Sequence, residues 1–469
     1  MNPLKSVFAW IEDRIGIADT FKKLLAGQVA KHGAWLKTTG MACLVLVLVE
    51  CITGPVLAVY YSPTPATAYN DILAIESNWV GKFIRGLHHW SSAALIVLAL
   101  FTVIRLFFTA DYRKRRDVVW IMSILFFNFV LFFQLTGHLL PWDTNAVSTA
   151  DVEAGFAGNL WVVGPLIKKF LLGGAHTGAV TLSRWYGFHV AVLPLLTTML
   201  VAVPLYLNRK NSYRVTEEST SDAIETASSP NDREDYYPFH MAREMLVSVI
   251  VFSAVVFLAF TKHAPLELQA TAQNMQDYKS LAEWYVLPLH GLTLLPPFNQ
   301  VVFEPLATFV GPGALITLLI FLPFLDRNKA TRLVLRPLAA VCGIATLVLL
   351  GGLYGWVYMK ERPEATKQEE RIALLKGEKL PDVNAQLVSV GKKVYDTNGC
   401  AGCHVIHGVG GKAGPDISKT GLSHPEREWQ LEHLRKPASK TPGSTMPGYD
   451  YLKPDELKAL TEYMISLVK

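Results

Sequence analysis

Charge is what this sequence has least of. Only 18% of its 469 residues are Asp, Glu, Lys or Arg, and 51% are hydrophobic, whereas ordinary soluble domains carry about 25% charged residues. That balance excludes an ordinary soluble enzyme. The net charge of +5 is too small to argue for a nucleic-acid partner. Cysteine is scarce as well, at five residues. Cys43, Cys51 and Cys342 stand alone in apolar stretches and read as small buried hydrophobes. There is no internal repeat. The first 28 residues lack the apolar core of a signal peptide. Their Val7, Phe8, Ile11, Ile15 and Phe21 alternate with charges, so residues 1–38 are expected to form an amphipathic helix lying along a membrane surface.

What is present is a series of long apolar runs. Seven of them, at about 39–60, 86–108, 118–140, 186–207, 243–262, 306–325 and 333–358, approach or exceed the ~18–20 residues that cross a bilayer. Basic residues then fix the orientation. Arg113, Lys114, Arg115 and Arg116, Arg209, Lys210, Arg214 and Arg233, and Arg327, Lys329 and Arg332 fall in loops on one side. Two of the opposite loops are poorer: 61–85 has Lys82 and Arg85, and 263–305 has only Lys279. The positive-inside bias puts the N-terminus in the cytoplasm and, after seven spans, the C-terminus outside. The expected organisation is an all-α bundle: 39–210 as a four-span core, 211–240 as a Ser/Thr/Asp/Glu-rich cytoplasmic linker, 241–358 as a three-span part, 359–385 as a second linker and 386–469 as a soluble α-helical domain.

Two sets of residues carry chemistry. His88 and His189 each sit near the start of a long apolar segment. Two neutral imidazoles facing each other from different helices can hold a heme iron from both sides. In the C-terminal domain, Cys400-Ala401-Gly402-Cys403-His404 can attach a porphyrin through two thioethers, with His404 on its iron. A zinc or dithiol motif is the alternative reading; the outside location argues for heme, because bacteria attach heme covalently outside the cytoplasmic membrane. Met446, in Ser444-Thr445-Met446-Pro447-Gly448, is the candidate sixth ligand, and Met–His ligation raises a heme's potential. His407, His424 and His433 read as surface or packing residues. With helical segments on both sides, this domain resembles a class I cytochrome c.

The membrane part resembles cytochrome b of the bc-type quinol oxidoreductases, in the split chloroplast-like form with four and three spans. The residues carrying the resemblance are Gly40, Glu50-Cys51-Ile52-Thr53-Gly54, Leu135-Thr136-Gly137-His138-Leu139-Leu140-Pro141-Trp142-Asp143, Tyr237-Pro238-Phe239-His240 and Ala282-Glu283-Trp284-Tyr285. The resemblance implies that Gly54 and Gly137 let a flat macrocycle approach the backbone. It implies that Arg85 meets a heme propionate, a snorkelling interfacial arginine being the plainer alternative. It further implies that Glu283 accepts a proton from quinol, rather than making only a structural hydrogen bond, and that Tyr285 lines the quinol site. His138 stands where the family has an aromatic residue. For His138 and His290, packing is preferred to proton transfer.

The pattern breaks at the second heme. The family's further ligands would fall fourteen residues after His88, where Thr102 stands, and fourteen or fifteen after His189, where Val203 and Pro204 stand. A glycine expected near that heme is Ser123, close to Phe126, Phe127, Phe129, Phe132 and Phe133, which either help fill the space or face lipid. No cysteine lies two residues before Gly40, where the chloroplast-like form attaches an extra heme; Thr38 is there. The expectation is therefore one heme b, on His88 and His189, and one covalent heme c. Without the inner heme, the second route of a Q cycle has a gap of roughly 20 Å in a ~30 Å apolar layer. The expected function is electron transfer between quinol and a c-type heme, in the cytoplasmic membrane of a bacterium. The expected partners are a Rieske iron–sulfur protein or another redox subunit and a soluble cytochrome c or other acceptor, in a dimeric complex. Two rivals are a quinone-pool adaptor for another outer-face oxidoreductase and a non-catalytic anchor for a cytochrome c shuttle.

Overall fold

The computed structural model describes residues 25, 28–31, 34–113, 116–218, 233–275, 278, 282–327, 333–376 and 380–468. Most of the expected N-terminal surface helix and much of the 211–240 linker lie outside the described residues. The chain divides into two compact units, Met1–Tyr358 and Met359–Lys469.

Among the described residues, seven helices are long and apolar enough to span a membrane: Ala34–Ala58, Trp79–Phe108, Asp117–His138, Ala179–Leu207, Tyr236–Thr261, Leu306–Leu325 and Pro337–Leu374. The second and fourth begin seven residues earlier than their apolar runs suggest. Asn78 explains the second start: its side chain accepts the Gly81 N–H, satisfying a backbone group that the first turn leaves unpaired. The first span packs on the second, fourth and fifth, and the third packs on the second, fourth and sixth. Cys43, Leu46, Leu95, Ile96, Ala99, Phe126, Val130 and Val201 form the resulting core. The sixth and seventh spans are buried over only 6% and 11% of their most apolar windows, so they stand at the periphery. This corrects one expectation: Cys43 is buried and Cys51 half-buried, but Cys342, on the seventh span, is exposed. In an apolar solvent an outward-facing cysteine needs no core to hide in.

The connection after the third span is itself folded. Asp143 caps the helix Thr144–Gly158 through the Ala146 N–H, and its other carboxylate oxygen accepts the Glu267 N–H, both at 2.8 Å. Backbone bonds from Thr144 to Leu268 and from Ala270 to Trp142 continue the junction. One aspartate thus fastens the loop after the third span to the loop after the fifth. Their shared core contains Leu139, Trp142, Leu172, Leu182 and Trp185.

In the second unit, helices Ala385–Thr397 and Pro454–Ser466 cross closely. A Cβ at Gly391 would lie 1.9 Å from the Ala459 carbonyl oxygen, so only glycine allows that approach. Tyr395, Leu434, Leu457, Leu460 and Tyr463 fill the core, and Met446 and Cys400 pack against it.

Candidate functional site

The second and fourth spans bring His88 and His189 together, with ring centroids 6.2 Å apart and planes at 70°. His189 lies in a π-helical turn, Phe188–Val192, a distortion that re-aims a side chain and is frequent at functional sites. Metal–imidazole bonds of about 2 Å put two ring centres close to this separation when an iron sits between them. Each ring's Nδ1 is already engaged. His88 Nδ1 lies 2.9 Å from Thr53 Oγ1 and 2.7 Å from Glu50 Oε2; His189 Nδ1 lies 3.1 Å from Thr136 Oγ1. Both threonines give their own protons to carbonyls of their own helices, so the Thr136 hydroxyl accepts the His189 Nδ1–H, and the Thr53 hydroxyl and the Glu50 carboxylate share that of His88. That fixes the tautomer and leaves Nε2 of both rings for a metal.

The glycines that follow these threonines complete the cradle. A Cβ at Gly137 would stand 2.5 Å from His189 Cε1, whereas at Gly54 it would make only ordinary contact, 3.4 Å from His88 Cε1. Gly54 is therefore bare beyond what the imidazole itself requires, which suits the face of a flat macrocycle. The donor set and the cradle fit a bis-histidine heme. Arg85, expected at a propionate, is 7% exposed and donates to Glu76 and to the carbonyls of Ala264 and Pro265.

At the opposite end of the same helices the residues do not fit a second heme. Thr102 Oγ1 lies 2.8 Å from Leu98 O, to which it donates, and 2.9 Å from the Thr39 hydroxyl. A Cβ at Gly40 would already meet Leu205 Cδ2 at 2.9 Å. What remains is a cavity of about 60 Å³ lined by Lys37, Thr102, Ser123, Phe126, Pro204 and neighbours, with no histidine among them. Of the phenylalanines expected nearby, Phe126 lines this cavity, and Phe133 instead packs edge-on against His189 at 4.4 Å.

A polar cluster joins the segment after the third span to the one after the fifth. Glu283 Oε1 accepts from Asn145 Nδ2 at 3.0 Å and stands 3.3 Å from His138 Nε2. The Tyr278 hydroxyl donates to Asn145 Oδ1, and that of Tyr285 to Glu153 Oε1, each at 3.3 Å. Burial, and then the charge of Glu283, push the Glu153 carboxyl up to about 8. Tyr285 also packs against the four-helix core, as Leu87 and Trp90 do. His138 thus faces the carboxylate rather than filling a gap, and the sequence reading missed both that and Glu153. The replacement of an aromatic by histidine was the available signal.

In the C-terminal unit, His404 Nδ1 bonds Pro415 O at 2.9 Å, again leaving Nε2 free for iron. A Cβ at Gly414 would lie 2.7 Å from the His404 ring. Cys400 and Cys403 are free thiols, as thioether attachment needs. Trp429 stacks between His424 and His433, at 3.5 and 4.8 Å, so these two histidines pack on an aromatic ring.

The comparisons agree with this division. The family model described as cytochrome b(N-terminal)/b6/petB matches residues 93–271, and the model described as cytochrome c matches 388–467. The cytochrome b6 of Heliobacterium mobile is 34% identical over 191 residues, covering 40% of this chain and 90% of that protein. The menaquinol:cytochrome c reductase cytochrome b subunit of Geobacillus thermodenitrificans is 28% identical over 216 residues, covering 44% and 96%. A chain of a hyperthermophilic respiratory Complex III shares the fold, with a TM-score of 0.61 at 22% identity over 74% of this chain and 90% of that one. Cytochrome b and cytochrome c domains both imply heme. With its histidine-bearing helical bundle and its Cys-x-x-Cys-His domain, this membrane protein belongs to the cytochrome b/b6 family and carries a C-terminal cytochrome c domain.

Proposed function

We propose that this chain is the cytochrome b/c subunit of a membrane quinol–cytochrome c oxidoreductase, with one heme b on His88 and His189 and one covalent heme c on Cys400, Cys403, His404 and Met446. The observation that carries the reading is the Glu283–His138–Asn145 cluster, held beside Tyr285, which packs against the four-helix core. A quinol needs two things at once: an electron acceptor and a base for each proton. A heme bound between the histidines accepts one electron at a time.

The residues of this chain handle the protons. Glu283 takes the hydroxyl proton of the bound quinol. Asn145 holds that carboxylate in place, and the imidazole of His138 can receive the proton from it. Glu153 stays protonated near neutral pH and satisfies Tyr285 without adding a second negative charge. Basic loops support an N-terminus in the cytoplasm and a heme c domain on the outer face, where a Rieske protein or another redox subunit and a soluble acceptor would meet it. A dimeric complex is part of the proposal.

The inner end, with Thr102 and Pro204 where the family's ligands would fall, favours a second reading. With a 60 Å³ cavity where the family's inner heme would lie, a complete Q cycle lacks its inner relay, and the subunit serves instead as an adaptor between the quinone pool and another outer-face enzyme. Adding quinol to the purified complex and following heme c tests the activity: no reduction overturns both readings. A pyridine hemochrome assay is expected to give one b and one c heme per chain, and two b hemes would overturn the count. Co-purification of a Rieske protein selects the first reading, and of a different redox subunit the second.

A further inference from the structure

The two histidines are not equivalent. His189 leans on the Thr136 hydroxyl. His88 has the matching Thr53 hydroxyl and, in addition, the carboxylate of Glu50, whose Oε2 lies 2.7 Å from Nδ1. Glu50 sits inside the first span, with its side chain only 10% exposed. An ionisable group within a spanning helix is costly and points to a role with a named partner. Its other oxygen, Oε1, accepts the Ser91 hydroxyl, so both carboxylate oxygens are committed. The nearest cation on the histidine helix, Arg85, is itself paired with Glu76, which leaves the Glu50 charge directed at His88.

We propose that Glu50 acts through the His88 N–H to hold the heme b iron at a lower reduction potential than a neutral partner would. A carboxylate accepting the Nδ1–H pulls that proton toward itself and makes Nε2 a stronger donor to the metal. The more negative ligand stabilises the ferric over the ferrous iron. Reduction adds one electron to the iron and moves no proton in this scheme. Glu50 is a positioning and tuning residue: it touches neither quinol nor iron. The inference rests on a heme lying between His88 and His189, as proposed above, but not on quinol being the donor.

The test is a potentiometric titration of heme b in the full-length, heme-loaded chain, read at its α-band beside that of heme c. Glu50→Gln keeps an acceptor oxygen and removes the charge. It is expected to shift the ferric/ferrous equilibrium at least tenfold toward the ferrous form, about 59 mV for one electron, with heme c unmoved. Glu50→Asp should restore most of the difference. A Glu50→Gln midpoint within twofold of wild type, or shifted the other way, overturns the proposal while leaving the heme assignment intact. Should Glu50→Gln fail to take up heme b, near-infrared magnetic circular dichroism of the ferric wild type decides. A charge-transfer band displaced toward the imidazolate position supports the proposal, and one at the neutral bis-imidazole position overturns it. A wild type without a low-spin b signal overturns both this inference and the heme assignment.

Discussion

At one end of the four-helix core, the second and fourth spans set His88 and His189 face to face, 6.2 Å apart. At the other end, the same two helices carry Thr102 and Pro204 around a cavity of about 60 Å³. Both ends have a glycine on the first span, Gly54 and Gly40. Gly54 stays bare, while Gly40 is covered by Leu205. The difference teaches that a cofactor site needs more than ligands. It needs backbone kept clear for the macrocycle and a partner for each imidazole N–H. The opposite end has no such histidine pair, and Leu205 lies over its glycine.

Removing His189 is the largest perturbation. His189→Ala should abolish the b-type α-band and lower quinol-dependent heme c reduction at least 100-fold, with the heme c spectrum unchanged. Gly137→Ala should resemble it, because the added methyl would stand 2.5 Å from the imidazole. Surviving heme b in either variant would mean that the iron is held elsewhere. Next, Glu283→Gln should slow quinol-dependent reduction by about 10²-fold, the usual size of a lost general base, with both heme spectra intact; an unaltered rate would move the proton acceptor to another group.

The converse experiment installs histidines at the opposite end. Thr102→His with Pro204→His should leave the hemochrome count at one b heme and destabilise the bundle by about 1–3 kcal/mol through overpacking. A second b heme in that variant would show that ligands alone separate the two ends. A smaller effect concerns pH. Burial and Glu283 raise Glu153 from 4.5 to about 8. The folded state therefore keeps a proton that the unfolded state loses across that window. Stability falls as pH rises through it and has lost this contribution above about 8. Glu153→Gln should flatten the decline in Tm between about pH 5 and 9, and identical pH profiles would refute it. The smallest effect compares the two threonines: Thr136→Val should loosen heme b by about 1 kcal/mol, the net value of one hydrogen bond, and Thr53→Val by less, since Glu50 still holds His88. Equal losses in heme-retention assays would contradict that asymmetry.

Much of this was legible in the chain because it is written locally. Apolar runs marked the seven spans, Cys400 to His404 marked the cytochrome c domain, and the absence of histidine at 102, 203 and 204 set the two ends of the core apart. What stayed hidden depends on neighbours far apart in sequence. Glu50 and His88 are on different helices, and nothing local pairs them. Arg85 looked free to meet a propionate because its carbonyl partners, at Ala264 and Pro265, lie in the loop after the fifth span. The π turn at His189 changes aim without changing composition. The repeated Thr-Gly pairs at 53–54 and 136–137 were visible, but only the hydrogen bonds reveal that the threonine serves the imidazole while the glycine makes room.

The seating of Leu205 against Gly40 has a consequence for how such a protein can change. Reopening that end would require withdrawing the leucine, parting the Thr39–Thr102 hydroxyls and supplying two imidazoles together, since each step alone leaves either a hole or a crowded helix. A packed helix end resists change in this way: where neighbouring side chains occupy the room, no single substitution opens it.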